Sequence, residues 1–244
     1  MKVAIHQPHF LPWLGYLDRM KKADLFIILD HVQFERRNYQ NRTQIRVEDE
    51  GRWLSVPVVQ LSQKERIIEK KVDNPPEGTL RWWGPNAFQT LRYAYRKAPF
   101  FDQYAPRLKD ILERRWSNLV DLNDATLEFM RESFDICTPL VKSSELRAEG
   151  HRSELLLNLC KEVGGKTFLG GLGGSRGYLN LDAFREAGID VEWQQFPHPR
   201  YVQCGSTTFI QGLSAVDALF NCGPDARDLL GERRPIHADE RLAA

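Results

Sequence analysis

The chain has 244 residues, of which 42% are hydrophobic and 27% charged, with 34 Lys and Arg against 33 Asp and Glu. Such a composition belongs to a folded globular protein and excludes a disordered one. A balanced charge excludes generic nucleic-acid binding, which needs a basic excess or a basic face, and no apolar run approaches the roughly 18–20 residues of a membrane span.

The opening residues MKVAIHQPHF lack the charged and apolar regions of a secretion signal, so the expected location is cytoplasmic. A strand at 3–5 runs into the loop His6-Gln7-Pro8-His9-Phe10-Leu11-Pro12. Leu14, Leu17 and Met20 then recur at helical spacing and predict a helix over 13–22. The run at 25–29 is apolar on both faces, as a parallel strand between helix layers should be. Strand, helix and strand within thirty residues make a βαβ unit.

Strands at 44–47 and 53–58 around a turn at 48–52 predict a hairpin. Turn residues cluster at 74–78, and 85–134 is helical in pattern. The α/β pattern resumes with a strand at 136–141 and a helix at 153–163, stopped by Gly164-Gly165. A strand at 166–169, a glycine-rich stretch at 170–178, a helix at 181–187, a strand at 191–196 and a helix at 213–220 follow. The charged end is expected to fray from Arg227. The expected architecture is α/β and Rossmann-like, an open parallel sheet with a helical insertion and a β-hairpin. Its core covers 1–74 and 135–224, with the hairpin at about 43–58, the insertion at 75–134 and a tail at 225–244.

In open parallel sheets, ligands sit beyond the carboxyl ends of the strands. His6 follows the first strand and suits acid/base chemistry or phosphate binding. A metal held by His6 and His9 is not expected, because Pro8 prevents a regular helix and no third ligand is evident. Asp30 follows the second strand and either orients a substrate group or caps a turn. Arg36, Arg37, Arg42 and Arg46 make a basic stretch suited to a small anion, with Asn41-Arg42 the preferred pair. The alternative there is a solvated strand face. Gly174, Ser175 and Arg176 lie between a strand and a helix, as a phosphate loop requires, with a glycine-rich hinge as the alternative. His198, rigid between two prolines, and Tyr201 are further candidates. The four cysteines form no CxxC pair, and no GxSxG is present.

The segments HQPHFLPWLGYLDRM, ADLFIILDHVQF, NRTQIR, FLGGLGGSRGYL and FPHPRYVQ resemble the WbqC-like protein family, over about 1–222. The family's pattern falls on His6-Gln7-Pro8, Trp13, Gly15-Tyr16, Asp30, Gln33, Asn41-Arg42, Ser175 and Tyr178. The resemblance implies a bacterial protein of cell-surface polysaccharide (O-antigen) biosynthesis. A more distant resemblance is to HUP-type nucleotidyltransferases with an HxGH loop. Here Trp13-Leu14-Gly15-Tyr16 stands in that loop's place and keeps only its glycine.

The function these resemblances imply is a transferase acting on a nucleotide-linked or phosphorylated substrate, with acyl or aminoacyl transfer to a sugar amine as one form. His6, Asp30 and His198 would be catalytic. Gln7, Trp13, Tyr16, Gln33, Asn41, Arg42, Gly174, Ser175, Arg176, Tyr178 and Tyr201 would bind substrate. The alternatives are a nucleotidyltransferase relative with a rewired loop, or a non-catalytic binding or scaffold protein. The cofactor stays open: a nucleotide is compatible, and Mg²⁺ is implied only for nucleotidyl transfer. The expected partner is a small anionic metabolite or sugar nucleotide, and a homo-oligomer is compatible.

Overall fold

The computed structural model describes residues 1–62, 64–76, 79, 82–171, 173–205 and 208–231, with Gly174 and Ser175 described through their backbone. Five strands, β1 (Lys2–His6), β2 (Leu25–Ile28), β5 (Leu140–Lys142), β6 (Thr167–Gly170) and β7 (Asp190–Trp193), form one sheet in the order β5-β2-β1-β6-β7. All four pairings are parallel. Counted along the chain, the sheet runs third, second, first, fourth, fifth, which is the doubly wound order. The direction of growth reverses between β1 and β6, and a crevice opens there at the carboxyl ends of the strands.

The central strands are apolar because both of their faces are covered. Ala4, Phe26 and Ile28 point into one core, while Val3, Ile5 and Ile27 point into the other. This alternation is the period of two that a strand imposes. On the first face lie α1 (Leu14–Lys22) and α7 (Ala215–Cys222). On the second lie α5 (Ser153–Glu162) and α6 (Leu181–Glu186).

The helical stretch forms α2 (Trp83–Tyr95), α3 (Phe101–Glu113) and α4 (Leu119–Ser133). It shares the first core: Leu91, Tyr95, Leu108 and Met130 belong to the same cluster as Phe10, Leu17 and Phe220. A separate antiparallel pair, β3 (Arg42–Val47) and β4 (Glu50–Ser55), makes the hairpin.

Several expected boundaries move. The hairpin turn is confined to two residues, Glu48 (φ +58°) and Asp49, so β4 begins at Glu50 rather than at 53. β5 is shorter than 136–141, because the Ile136 amide still donates to the Arg131 carbonyl at the end of α4. Instead of fraying from Arg227, residues Gly223–Leu229 form a 3-10 helix. Ala226 and Leu230 are buried there, whereas 232–244 lies outside the described residues. Among the described residues, no helix is long and apolar enough to cross a membrane.

The loop between β1 and α1 is pinned from two sides. Leu11 adopts φ +45°, and its carbonyl accepts from Thr43 Oγ1 at 2.9 Å and Ser214 Oγ at 2.8 Å. The Phe10 amide donates to the Tyr39 carbonyl (3.0 Å), and the Ala215 amide to the Pro12 carbonyl (2.8 Å). The loop therefore holds its shape as part of the core rather than as a surface excursion.

Candidate functional site

At the switch point lies a cavity of about 430 Å³, within the range of small-ligand sites. His6, the last residue of β1, and Gln7, just past it, form part of its lining. Trp13, the cap of α1, Tyr16 in its first turn and Arg19 in its last turn also line it. Gly171, Gly173 and Tyr178 come from the loop after β6, and Gln194 follows β7. The loop after β2 supplies Glu35, Asn38 and Tyr39 at the mouth, and Leu156 and Phe168 make an apolar side.

Four rings pack against one another along one wall. The His6 ring lies 4.5 Å from His9 and 4.7 Å from Tyr16, centroid to centroid. His9 lies 5.0 Å from Tyr16 and stacks on Tyr39 at 5.3 Å. His6 Nδ1 is 3.0 Å from the Gln7 carbonyl, which can only accept, so Nδ1 carries the hydrogen. In the neutral ring, Nε2 is then left with its lone pair. Gln7 is itself oriented, since its Oε1 accepts from Gln40 Nε2 at 2.9 Å.

The wall on α1 carries polar groups with no partner. His9 is 6% exposed, Tyr16 1% and Arg19 4%. His9 Nδ1, Tyr16 Oη, Arg19 Nε and one Arg19 Nη have no hydrogen-bond partner. Burial lowers the His9 pKa to about 3, so the ring is neutral throughout the physiological range. Burial also lowers Arg19 to about 10, still charged at neutral pH. Burial, and next the nearby Asp124 carboxylate, push the Tyr16 phenol up, so it keeps its proton. A buried polar group without a partner costs roughly 1–3 kcal/mol. Three such side chains along one cavity are the feature most in need of a ligand.

Two glycines make this wall possible. A Cβ at Gly15 would fall 2.2 Å from the Trp13 ring, which folds over it, and one at Gly171 would fall 2.1 Å from Arg19 Nη1. Gly171 thus gives the guanidinium its place beside the glycine loop. Gln194 Nε2 donates to the Gly15 carbonyl (2.8 Å) and to Asp18 Oδ2 (2.7 Å), tying the end of β7 to α1.

Of the residues expected at the site, His6, Gln7, Trp13, Tyr16 and Tyr178 meet at the cavity. The others stand elsewhere. Asp30 is fully buried, and its carboxylate accepts from Ser143 Oγ (3.0 Å), the Ser144 amide (2.9 Å) and Ser144 Oγ (2.7 Å). It joins β2 to the segment after β5. The Ser143 proton goes to Asp30, so His31 Nδ1, 2.6 Å from Ser143 Oγ, is the donor there. His198 has both nitrogens committed: Nδ1 donates to the Pro199 carbonyl (2.9 Å), and Nε2 accepts from the Gly212 amide (3.1 Å). Tyr201 Oη donates to buried Asp217 at 2.7 Å.

Asn41 bonds the Val56 carbonyl, Gln33 is exposed and bridges Arg66, and the Arg176 guanidinium lies 5.1 Å over the Trp193 ring. Gly174 opens the 3-10 turn Gly174–Gly177, and the Ser175 side chain lies outside the described residues. The expected basic mouth is corrected as well. Arg42 packs over Trp53 at 3.9 Å, and Arg46 is buried against the Glu48 and Cys204 carbonyls. The cation lining the cavity is Arg19 instead, among the described residues. Arg19 lies three positions after Tyr16 and four after Gly15, so the helical period already set it on the site's face.

Fold and cavity together define a doubly wound α/β protein with a polar crevice at its switch point. A family model, the WbqC-like protein family, matches residues 7–229, and the chain belongs to that family. It is 31% identical over 230 residues to the uncharacterized protein Rv1507c of Mycobacterium tuberculosis, covering 94% of this chain and 97% of that one. No solved structure matches the chain.

Proposed function

We propose that the protein is a transferase of bacterial cell-surface polysaccharide biosynthesis that binds a phosphorylated or nucleotide-linked sugar in the switch-point crevice. The observation that carries the binding reading is the buried Arg19 guanidinium, unpartnered at two nitrogens and lodged against Gly171. A guanidinium presents adjacent N–H donors that match the oxygens of an anion. His6 Nε2 is the cavity's base. In acyl or aminoacyl transfer to a sugar amine, the amine nitrogen attacks the acyl carbon and yields a proton to Nε2, and the donor's leaving group departs. The polysaccharide setting comes from the family resemblance.

The test is a thermal-shift panel of nucleotide sugars and sugar phosphates, with native mass spectrometry of the purified protein for a retained ligand. A compound that stabilises the wild type and not Arg19→Gln is expected. No shift from either class, with no retained ligand, overturns the reading. Release of pyrophosphate from a nucleoside triphosphate with Mg²⁺ would instead mark the nucleotidyltransferase alternative.

A further inference from the structure

The crevice carries an unusual charge pattern. Its deep wall offers Arg19, beside the protonated phenol of Tyr16 and the neutral ring of His9. At its mouth stands one carboxylate, Glu35, exposed and accepting from Asn38 Nδ2 at 2.6 Å. Arg19 and Glu35 are the charged side chains of the lining among the described residues. One buried cation neutralises one negative charge, that of a carboxylate or of a singly ionised phosphate, and a second, uncompensated charge in a buried site is strongly unfavourable. The rim carboxylate adds repulsion against any anion extending outward. Of the basic residues expected near the site, Arg42 packs over Trp53, Arg46 lies against the Glu48 and Cys204 carbonyls, and exposed Arg176 lies over Trp193.

We infer that the crevice recognises its ligand through a single, singly charged oxyanion group, a carboxylate or one monoanionic phosphate, seated on Arg19 beside His9 and Tyr16, and that it does not accept a diphosphate in that place. This deepens the proposed function and rests on it: within phosphorylated or nucleotide-linked sugars, it selects those presenting one compact anion to the deep wall. His9 and Tyr16 contribute as a neutral acceptor and donor, so they can pair with the group or its neighbouring hydroxyls without adding charge.

Acetate, inorganic phosphate and pyrophosphate isolate the anion from the unidentified remainder of the ligand. The readout is the ¹⁵N resonance of Arg19 Nε, assigned by its loss in Arg19→Gln, titrated with each salt at constant ionic strength. Saturable movement with acetate or phosphate, and no tighter response to pyrophosphate, is expected; which of the two binds identifies the group. Binding through a charge-assisted hydrogen-bonded pair implies that Arg19→Gln weakens it by about 10- to 100-fold, read by calorimetry. Because the free protein buries two of that guanidinium's nitrogens unpaired, the melting temperature of unliganded Arg19→Gln is expected to equal or exceed that of the wild type. A fall would show Arg19 to be structural and overturn the inference. Pyrophosphate binding tenfold tighter than phosphate would also overturn it while leaving the proposed function standing. Movement with none of the three overturns the inference, and the nucleotide-sugar panel then decides the function separately.

Discussion

The α1 wall of the crevice and the polar clusters beyond β2 and β7 are built from the same kinds of residue, to opposite ends. Around Asp30 and around His198, hydrogen-bonding groups meet partners from the protein itself. Along the α1 wall, His9, Tyr16 and Arg19 are as deeply buried, yet each has an atom with no partner. A histidine, a tyrosine or an aspartate near a strand end says little by itself. What separates the regions is whether the hydrogen-bonding capacity is spent on the fold or held open. Closed clusters are fasteners, and open ones are sites.

That contrast can be broken by experiment, beginning with the strongest fastener. Asp30→Ala strands the hydroxyls of Ser143 and Ser144 and the Ser144 amide. The expected loss of unfolding free energy in urea is about 3–6 kcal/mol. A change under 1 kcal/mol would free Asp30 for a role in chemistry.

Acid should act next, through His9. Its pKa is about 3 in the fold, against 6.5 for an ordinary histidine. Below 6.5 the unfolded chain takes up a proton that the folded chain refuses, so stability is whole above pH 6.5 and falls as the pH drops toward 3. At about 1.4 kcal/mol per unit, the loss reaches about 3 kcal/mol near pH 4.5. Denaturation across pH 4–8 measures it, and His9→Phe should flatten that slope.

Smaller effects probe the remaining members. Tyr201→Phe removes a donor from buried Asp217, whose carboxyl burial pushes upward and whose bonds to Tyr201 and Gln203 pull back. A loss of about 1–2 kcal/mol is expected, with no change in ligand binding. Gly171→Ala should move stability least, by under about 1 kcal/mol, because the atom in the way is the end of a flexible arginine. Its effect belongs to the open region: phosphate affinity should fall several-fold as the guanidinium is displaced. Unchanged affinity would show that Arg19 is not where the anion binds.

Much of this was legible in the sequence, and the limits have physical causes. β1, β2 and the helices of 85–134 announce themselves by period and by apolar runs. The strand-end rule pointed to His6 and Gln7, and the family resemblance to Trp13, Tyr16 and Tyr178, all of which line the cavity. Arg19 escaped because a charged residue on a short helix reads as solvated. Its burial depends on Gly171, which is distant in sequence. Asp30 and His198 misled for the converse reason. Their partners, Ser143, Ser144 and Gly212, are brought to them only by the fold. The basic stretch dispersed because Arg42 and Arg46, though on the same face of β3, stand four residues apart along it, where Arg42 packs over Trp53 and Arg46 meets the Cys204 carbonyl.

The doubly anchored Leu11 carbonyl has a consequence for kinetics. Because Thr43 and Ser214 hold the loop that carries His9 and leads into Trp13, little ordering remains to be done when a ligand arrives. Association should then be a single encounter step, without a slow closing phase, and differences between ligands should appear mainly in how long they stay. Loosening the anchor with Thr43→Val would shift that pattern: the wall would have to be reassembled at each encounter, and the arrival rate would fall along with the residence time.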